Sequence, residues 1–183
     1  VANQLIQDFI TTKTEQLKQN AVNFNPESGL SPSSLQIDYT LTALNAKILS
    51  LEFNIYEHVS GAAHPNSYIH TFNYNIKDVK LVTRLQDVFV PGANYIPTIS
   101  LLTRADLKEQ LKSEMPNIEA NIDSGTEPKE ENFQEFVLTT HGLKLIFNPY
   151  QVGPYALGGQ QVLIPYEKLK DLLPPNSFLL DFK

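Results

Sequence analysis

Three successive runs of two-residue alternation constrain this chain more than any other feature. In Leu35–Thr42, Leu35, Ile37, Tyr39 and Leu41 alternate with Gln36, Asp38, Thr40 and Thr42. In Lys47–Ser60, Leu49, Leu51, Phe53 and Ile55 share one parity, and Ser50, Glu52, Asn54 and Tyr56 the other. In Ser67–Ile76, Tyr68, His70, Phe72 and Tyr74 alternate with Ile69, Thr71, Asn73 and Asn75. Successive side chains of a strand point to opposite faces, so each run reads as a half-buried strand. Asn45-Ala46 and Lys77-Asp78 supply turns, and Val79–Val82 a further short strand. Hairpin-linked strands of this kind make an antiparallel sheet rather than βαβ units.

Helical periodicity brackets these strands. Leu5, Ile6, Phe9, Ile10 and Leu17 define a helix over Asn3–Asn20 with Asn3 as its N-cap, ended by Asn25-Pro26-Glu27-Ser28-Gly29. Thr83–Phe89 reads as a short helical turn. A second long helix runs from Asn94 to about Met115, with Ile96, Ile99, Leu102, Leu107 and Leu111 as its apolar stripe. After Pro116, the polar and acidic run to Asn132 reads as a mobile connection. Phe136–Thr139 pairs with Leu143–Phe147 across a tight turn at His141-Gly142. Val162–Pro165 is the last strand, and Tyr166–Leu173 begins a third helix stopped by Pro174-Pro175. The fold class is α+β, an antiparallel β-sheet with helices packed against it. An N-terminal helix-and-hairpin segment, 1–60, packs with a C-terminal part, 61–183, as one compact unit. Ile37, Leu51, Phe53, Phe72, Leu145, Phe147 and Ile164 are its expected core.

Two loops stand out. Asn148–Gly159, rich in Pro, Gly and Tyr, lies between Leu-Ile-Phe and Val-Leu-Ile. A segment held on two core strands is ordered, and ordered surface loops are where binding usually sits. Tyr150 and Tyr155 supply amphipathic rings of the kind enriched in interfaces, or else cover the core with their hydroxyls bonded to backbone. Tyr155, flanked by Gly153-Pro154 and Ala156, is expected to face outward, and Tyr150, close to the strand, to plug the core. The second loop, Gly61-Ala62-Ala63-His64-Pro65-Asn66, has small residues that permit close backbone approach, and Pro65 holds His64 extended.

Composition closes off several classes. The net charge is −6 without a basic cluster, which argues against nucleic acid and anionic membrane surfaces. No apolar run reaches the roughly 20 residues that span a bilayer. The absence of cysteine excludes disulfides, zinc-thiolate sites and a cysteine nucleophile. His58, His64 and His70 recur at six-residue intervals, but the spacing matches no metal motif, and no metal or cofactor is expected. Neither G-x-S-x-G nor a nucleotide-binding glycine pattern occurs. The first residue is Val rather than Met, so a removed signal peptide or anchor is expected ahead of it.

The segments G-A-A-H-P-N at 61–66, F-N-Y at 72–74, L-Q-D-V-F at 85–89, G-L-K-L-I-F-N-P-Y-Q-V-G-P-Y-A-L-G-G at 142–159 and I-P-Y at 164–166 together resemble the RsiV/PdaC-like extracellular domain. The resemblance is specific over about Gly61–Leu173 and looser before it. That family includes the outer domain of lysozyme-sensing anti-sigma factors and domains beside polysaccharide deacetylases. It implies an α+β fold, bacterial origin, an extracytoplasmic location and no catalysis by the domain itself. Gly158-Gly159 departs from the more usual Gly-Pro of the family.

The expected function is therefore a non-catalytic, exported binding or sensor domain for an envelope-associated partner such as a lysozyme-like protein. A module for peptidoglycan or another cell-wall glycan, accessory to a deacetylase, is the alternative, and an unrecognised hydrolase the third reading. The expected binding residues are His64, Asn66, Tyr68, Asn148, Tyr150, Pro154 and Tyr155. Because no metal is expected to hold the fold, chelator treatment should leave the melting temperature unchanged. Thermal melts with and without chelator, paired with elemental analysis of the purified protein, check this.

Overall fold

The computed structural model describes residues 1–21, 27, 29–115, 117–175, 177 and 179. The break expected at Asn25-Pro26 and the stop at Pro116 lie outside the described residues. The architecture is α+β, with two antiparallel sheets rather than one: a four-stranded meander, β1-β2-β3-β4, and a three-stranded sheet, β5-β6-β7. The strands are β1 Ser34–Leu44, β2 Ile48–His58, β3 Asn66–Asn75, β4 Lys80–Leu81, β5 Phe136–Leu138, β6 Gly142–Phe147 and β7 Gln160–Pro165. The α-helices are α1 Ala2–Asn20, α2 Tyr95–Leu111 and α3 Glu119–Gly125.

Local chemistry closes each hairpin. Asn45 Oδ1 accepts from the N–H groups of Lys47 and Ile48 at 2.7 and 3.0 Å, fixing the β1–β2 turn. Asn75 Oδ1 accepts from the Asp78 N–H at 2.9 Å and does the same between β3 and β4. The β1–β2 register shifts between Leu41 and Ala43. This bulge turns Ala43, with Ile48, into the larger core instead of the face that holds Leu51.

One face of the meander carries Leu51, Phe53, Ile55, Phe72 and Tyr74, covered by Ala2, Leu5, Ile6 and Phe9 of α1. The Phe9 ring lies 5.0 Å from Phe53 and 4.7 Å from His70. The helix begins one residue earlier than Asn3, with Val1 as cap residue and its carbonyl accepting from Leu5 N–H at 3.1 Å. Ile37 is only half-buried in this cluster. Tyr39 and Leu41 share its strand parity yet are 70% and 50% exposed. They lie on the outermost strand, where α1 does not cover them.

The second sheet holds the larger core. Phe136, Leu138, Leu143, Leu145, Phe147, Val162 and Ile164 pack with Tyr95, Ile99, Leu107 and Leu111 of α2. The stretch expected to be a mobile connection is ordered: it contains α3 and a 3₁₀ turn at Glu130–Phe133. Ile118 and Ile122, one helical turn apart, are buried, and Asp123 meets Lys108 and Arg104 of α2 at 2.7 and 3.2 Å. A pair of isoleucines four residues apart was enough to anchor an otherwise acidic segment. At the other end, α2 stops at Leu111 rather than near Met115. Tyr166–Leu169 forms a 3₁₀ turn in place of a third helix, with Tyr166 and Leu169 buried.

Side-chain amides join the two sheets. Only the lower end of β3 is covered by the two-residue β4, so its edge is otherwise open. Asn148, just past β6 of the second sheet, donates Nδ2 to the Ile69 carbonyl at 2.9 Å and accepts the Ile69 N–H at Oδ1 at 2.8 Å. Glu135 accepts the Thr71 N–H at 2.8 Å, and the Val82 N–H reaches the Asn73 carbonyl at 2.8 Å. In the reverse direction, Asn73 Nδ2 donates to the Phe136 carbonyl at 2.8 Å, and its Oδ1 accepts from the Leu138 N–H at 3.1 Å and from Ser50 Oγ at 2.7 Å. Glu52, almost fully buried on the same face, meets Lys144 Nζ of β6 at 2.7 Å.

Asn73→Ala should therefore cost on the order of 2–4 kcal/mol, because it leaves a buried carbonyl, amide and hydroxyl without their partner. Urea unfolding of both proteins measures the difference, and a loss under about 1 kcal/mol would mean that water replaces the amide.

Candidate functional site

The two loops singled out in the sequence meet. Asn148, Pro149, Tyr150 and Gln151 make a reverse turn in which the Gln151 N–H bonds to the Asn148 carbonyl at 3.1 Å. Pro149 presets the second position. Tyr150 holds the third at φ +76°, a left-handed conformation that glycine or asparagine normally supplies. Beyond the turn the loop is locked from below. Val152 is in the core, and the Gln151 side-chain amide donates to the Asn132 carbonyl at 2.8 Å. Gly125 allows this docking, since a Cβ there would come within 2.1 Å of the Gln151 carbonyl. A 3₁₀ turn at Tyr155–Leu157 then leads toward β7.

The Pro65 carbonyl pins the loops together. It accepts from the Tyr155 hydroxyl at 2.6 Å and from His64 Nδ1 at 2.8 Å, which fixes the proton on that nitrogen. The His64 and Tyr155 rings stand 4.4 Å apart, and Tyr155 and Tyr150 5.4 Å. The result is a ridge of three rings, in which Tyr155 is held and Tyr150 is 65% exposed. This reverses the expected roles of the two tyrosines. Small neighbours around Tyr155 gave its ring room to lie against the Gly61–Asn66 loop, and the left-handed turn aimed Tyr150 outward.

A groove of about 700 Å³ runs beside the ridge, between the meander and the loop. Gln36, Asp38, Asn54, Tyr56, Ser67 and Ile69 line the sheet side, and Pro149, Tyr155 and residues 156–159 the loop side. Of the seven expected residues, His64, Tyr150 and Tyr155 come together. Asn148 borders the groove, but its amide is bound to Ile69. Tyr68 also lines the groove; on β3 it pairs with Ile55, and Lys13 of α1 lies 5.4 Å from its ring. Asn66 opens β3 opposite Glu57, and Pro154 starts the 3₁₀ turn; both are exposed and neither lines the groove. Sequence reasoning passed over Gln36, Asp38, Asn54 and Tyr56. The polar parity of the first two alternating runs contained them, and two polar faces meeting at one end of a sheet are the signal.

A second cavity, about 570 Å³, lies along the open edge of β3 and includes His70, Arg84, Glu130 and Glu135. Burial raises the Glu135 pKa, but hydrogen bonds from His70 Nδ1 at 3.1 Å and from the Thr71 hydroxyl and N–H outweigh it, so the carboxyl lies below the usual glutamate range. Among the described residues, no group of three His, Cys, Asp or Glu side chains converges as metal ligands would, and no helix is long and apolar enough to cross a membrane.

Residues 86–167 match the family described as "Protein of unknown function (DUF3298)". Over 165 residues, 90% of its length, the chain is 28% identical to the peptidoglycan-N-acetylmuramic acid deacetylase PdaC of Bacillus subtilis, and it spans 34% of that relative. Two solved DUF3298 structures share the fold. One, from Bacteroides fragilis, aligns over the whole chain and 74% of its own at a TM-score of 0.68 and 19% identity. The other, from Pseudomonas aeruginosa, covers 81% of this chain and 66% of its own at 0.56 and 21%.

The lowered Glu135 pKa sets a pH dependence. A carboxyl whose folded pKa is depressed contributes stability above its unfolded value, and that contribution fades as pH falls through the folded value. The stability gap between the unsubstituted protein and Glu135→Gln should therefore be full near neutrality and shrink below the ordinary glutamate range. Denaturant titrations at stepped pH test this, and a gap that stays constant into strong acid would contradict it.

Proposed function

We propose that this chain is a non-catalytic, extracytoplasmic recognition domain that binds an envelope-associated partner through the end where its two loops meet. The observation that carries this reading is Tyr150. A large aromatic side chain occupies a turn position suited to glycine, is mostly exposed, and is backed by a ring that is itself pinned. Backbone strain of this kind, on the order of 1–3 kcal/mol, persists where the surrounding structure enforces it, and such residues cluster at functional sites. A preorganised exposed aromatic is also the usual anchor of a protein interface.

The RsiV/PdaC-like resemblance names a lysozyme-like protein as the leading partner class. The relative's action on peptidoglycan supports an outward-facing location. Because the chain spans about a third of that relative, the deacetylation named for the whole enzyme is not carried over to it. Recognition, not bond cleavage, is the role proposed for this domain.

A binding screen of the domain against lysozymes and peptidoglycan fragments tests the reading. Tyr150→Ala should weaken binding to the partner found by about 1–2 kcal/mol while leaving the melting curve in place. Tyr155→Ala should instead lower the melting temperature, since it removes a part-buried hydroxyl bond and two ring contacts. A Tyr150→Ala protein that binds every verified partner normally would remove the ridge from the function.

A further inference from the structure

We propose that the groove beside the ridge is a saccharide site that takes a linear run of neutral or amine-bearing sugars. The inference stands on the groove lining and does not depend on Tyr150, which is not part of that lining. Charge narrows the ligand first. Among the residues that line the groove, Asp38 is the one with a formal charge, and none is a lysine or arginine. An anionic polymer would meet a carboxylate without a compensating cation, whereas a neutral or amine-bearing ligand would not.

Shape and polarity narrow it further. Tyr56, 44% exposed, lines this groove and also an adjoining pocket of about 430 Å³ formed with Ser34, His58 and residues 62–65. That pocket likewise has no lysine, arginine or carboxylate in its lining. The two cavities form a track with one aromatic ring at its middle, which suits an elongated ligand better than a compact one. Around the ring stand Gln36, Asn54 and Ser67, side chains that both donate and accept hydrogen bonds. Aromatic faces with interspersed amides and hydroxyls match a sugar ring, which is apolar on its C–H faces and polar at its rim. The Gln36 amide also donates to Asp38 Oδ2 at 2.7 Å, which holds the carboxylate in the groove floor.

An extended peptide fits less well. It would bind such a place by adding a strand to a sheet edge, and Asn148 already occupies the N–H and C=O of Ile69 on the neighbouring edge. On the β3 side a ligand is therefore held by side chains, as a glycan is.

Calorimetric titration of the 183-residue chain tests this with an N-acetylglucosamine oligosaccharide, its fully de-N-acetylated counterpart, and polygalacturonate as the anionic comparison. Both amino-sugar oligomers should bind and polygalacturonate should not. Tyr56→Ala should weaken both oligomers by about ten-fold or more, and Tyr56→Phe should restore most of that loss. Asp38→Asn should weaken the de-N-acetylated oligomer several-fold and leave the acetylated one unchanged. Both positions face solvent, and far-UV circular dichroism melts of each variant check that the fold is kept. The proposal is overturned if neither oligomer titrates, if polygalacturonate binds equally well, or if the Tyr56→Ala and Asp38→Asn proteins bind like the unsubstituted chain. Tyr150→Ala, outside the groove lining, should leave these titrations unaltered, so failure here and failure of the protein-partner reading can be told apart.

Discussion

The structure depends on a reciprocal exchange between two open sheet edges. A strand edge presents a row of unpaired N–H and C=O groups, and burying it without partners costs several kcal/mol. Here each sheet sends one asparagine to the other. Asn148 takes both polar groups of Ile69 on β3, and Asn73 takes the Phe136 carbonyl and the Leu138 amide on β5. A carboxamide carries a donor and an acceptor in the same geometry as a peptide unit, so each side chain stands in for one residue of an absent strand. The sheets can thus meet edge to face without merging. The Glu52–Lys144 pair, nearly buried beneath them, finds its partner through the same junction.

That junction positions everything at the functional end. Asn148 is both the cap on β3 and the first residue of the loop that carries the aromatic ridge. The loop leaves β6 from a point tied to the meander, Gln151 ties it to the Gly125 carbonyl at the end of α3, and the Tyr155 hydroxyl ties its later part to Pro65. Fixed at both ends, it leaves a gap above the polar face of β1 and β2, and this gap is the groove. Ridge and groove are consequences of one anchoring. The outer ring of the ridge is exposed and its inner ring is pinned. The groove beside it has a polar floor and a single carboxylate.

Much of the first sheet was legible because alternation is a direct record of strand geometry. The parities of β2 and β3 sorted Leu51, Phe53 and Phe72 correctly, and the Leu145, Phe147 and Ile164 positions were equally plain. The same parity overstated β1, where Tyr39 and Leu41 are exposed, because alternation marks which face a residue takes and not whether anything covers that face. The acidic stretch before Asn132 misled for the opposite reason. Composition averaged over sixteen residues hid Ile118 and Ile122, whose spacing alone places them on one side of a helical turn.

The sequence by itself determined the element types, the α+β class and the two loops at which binding was expected, since periodicity, turn residues and apolar flanks are properties of short segments. Tertiary structure decided the rest: that there are two sheets and not one, that Tyr150 and not Tyr155 faces outward, and that Gln36, Asp38, Asn54 and Tyr56 form a groove wall. Each of these rests on groups far apart in the chain. The Tyr155 hydroxyl meets a carbonyl 90 residues away, and Asn148 meets Ile69 across 79. Hydrogen bonds at that separation leave no trace in local patterning, because their partners are chosen by how the finished sheets abut and not by the residues beside them.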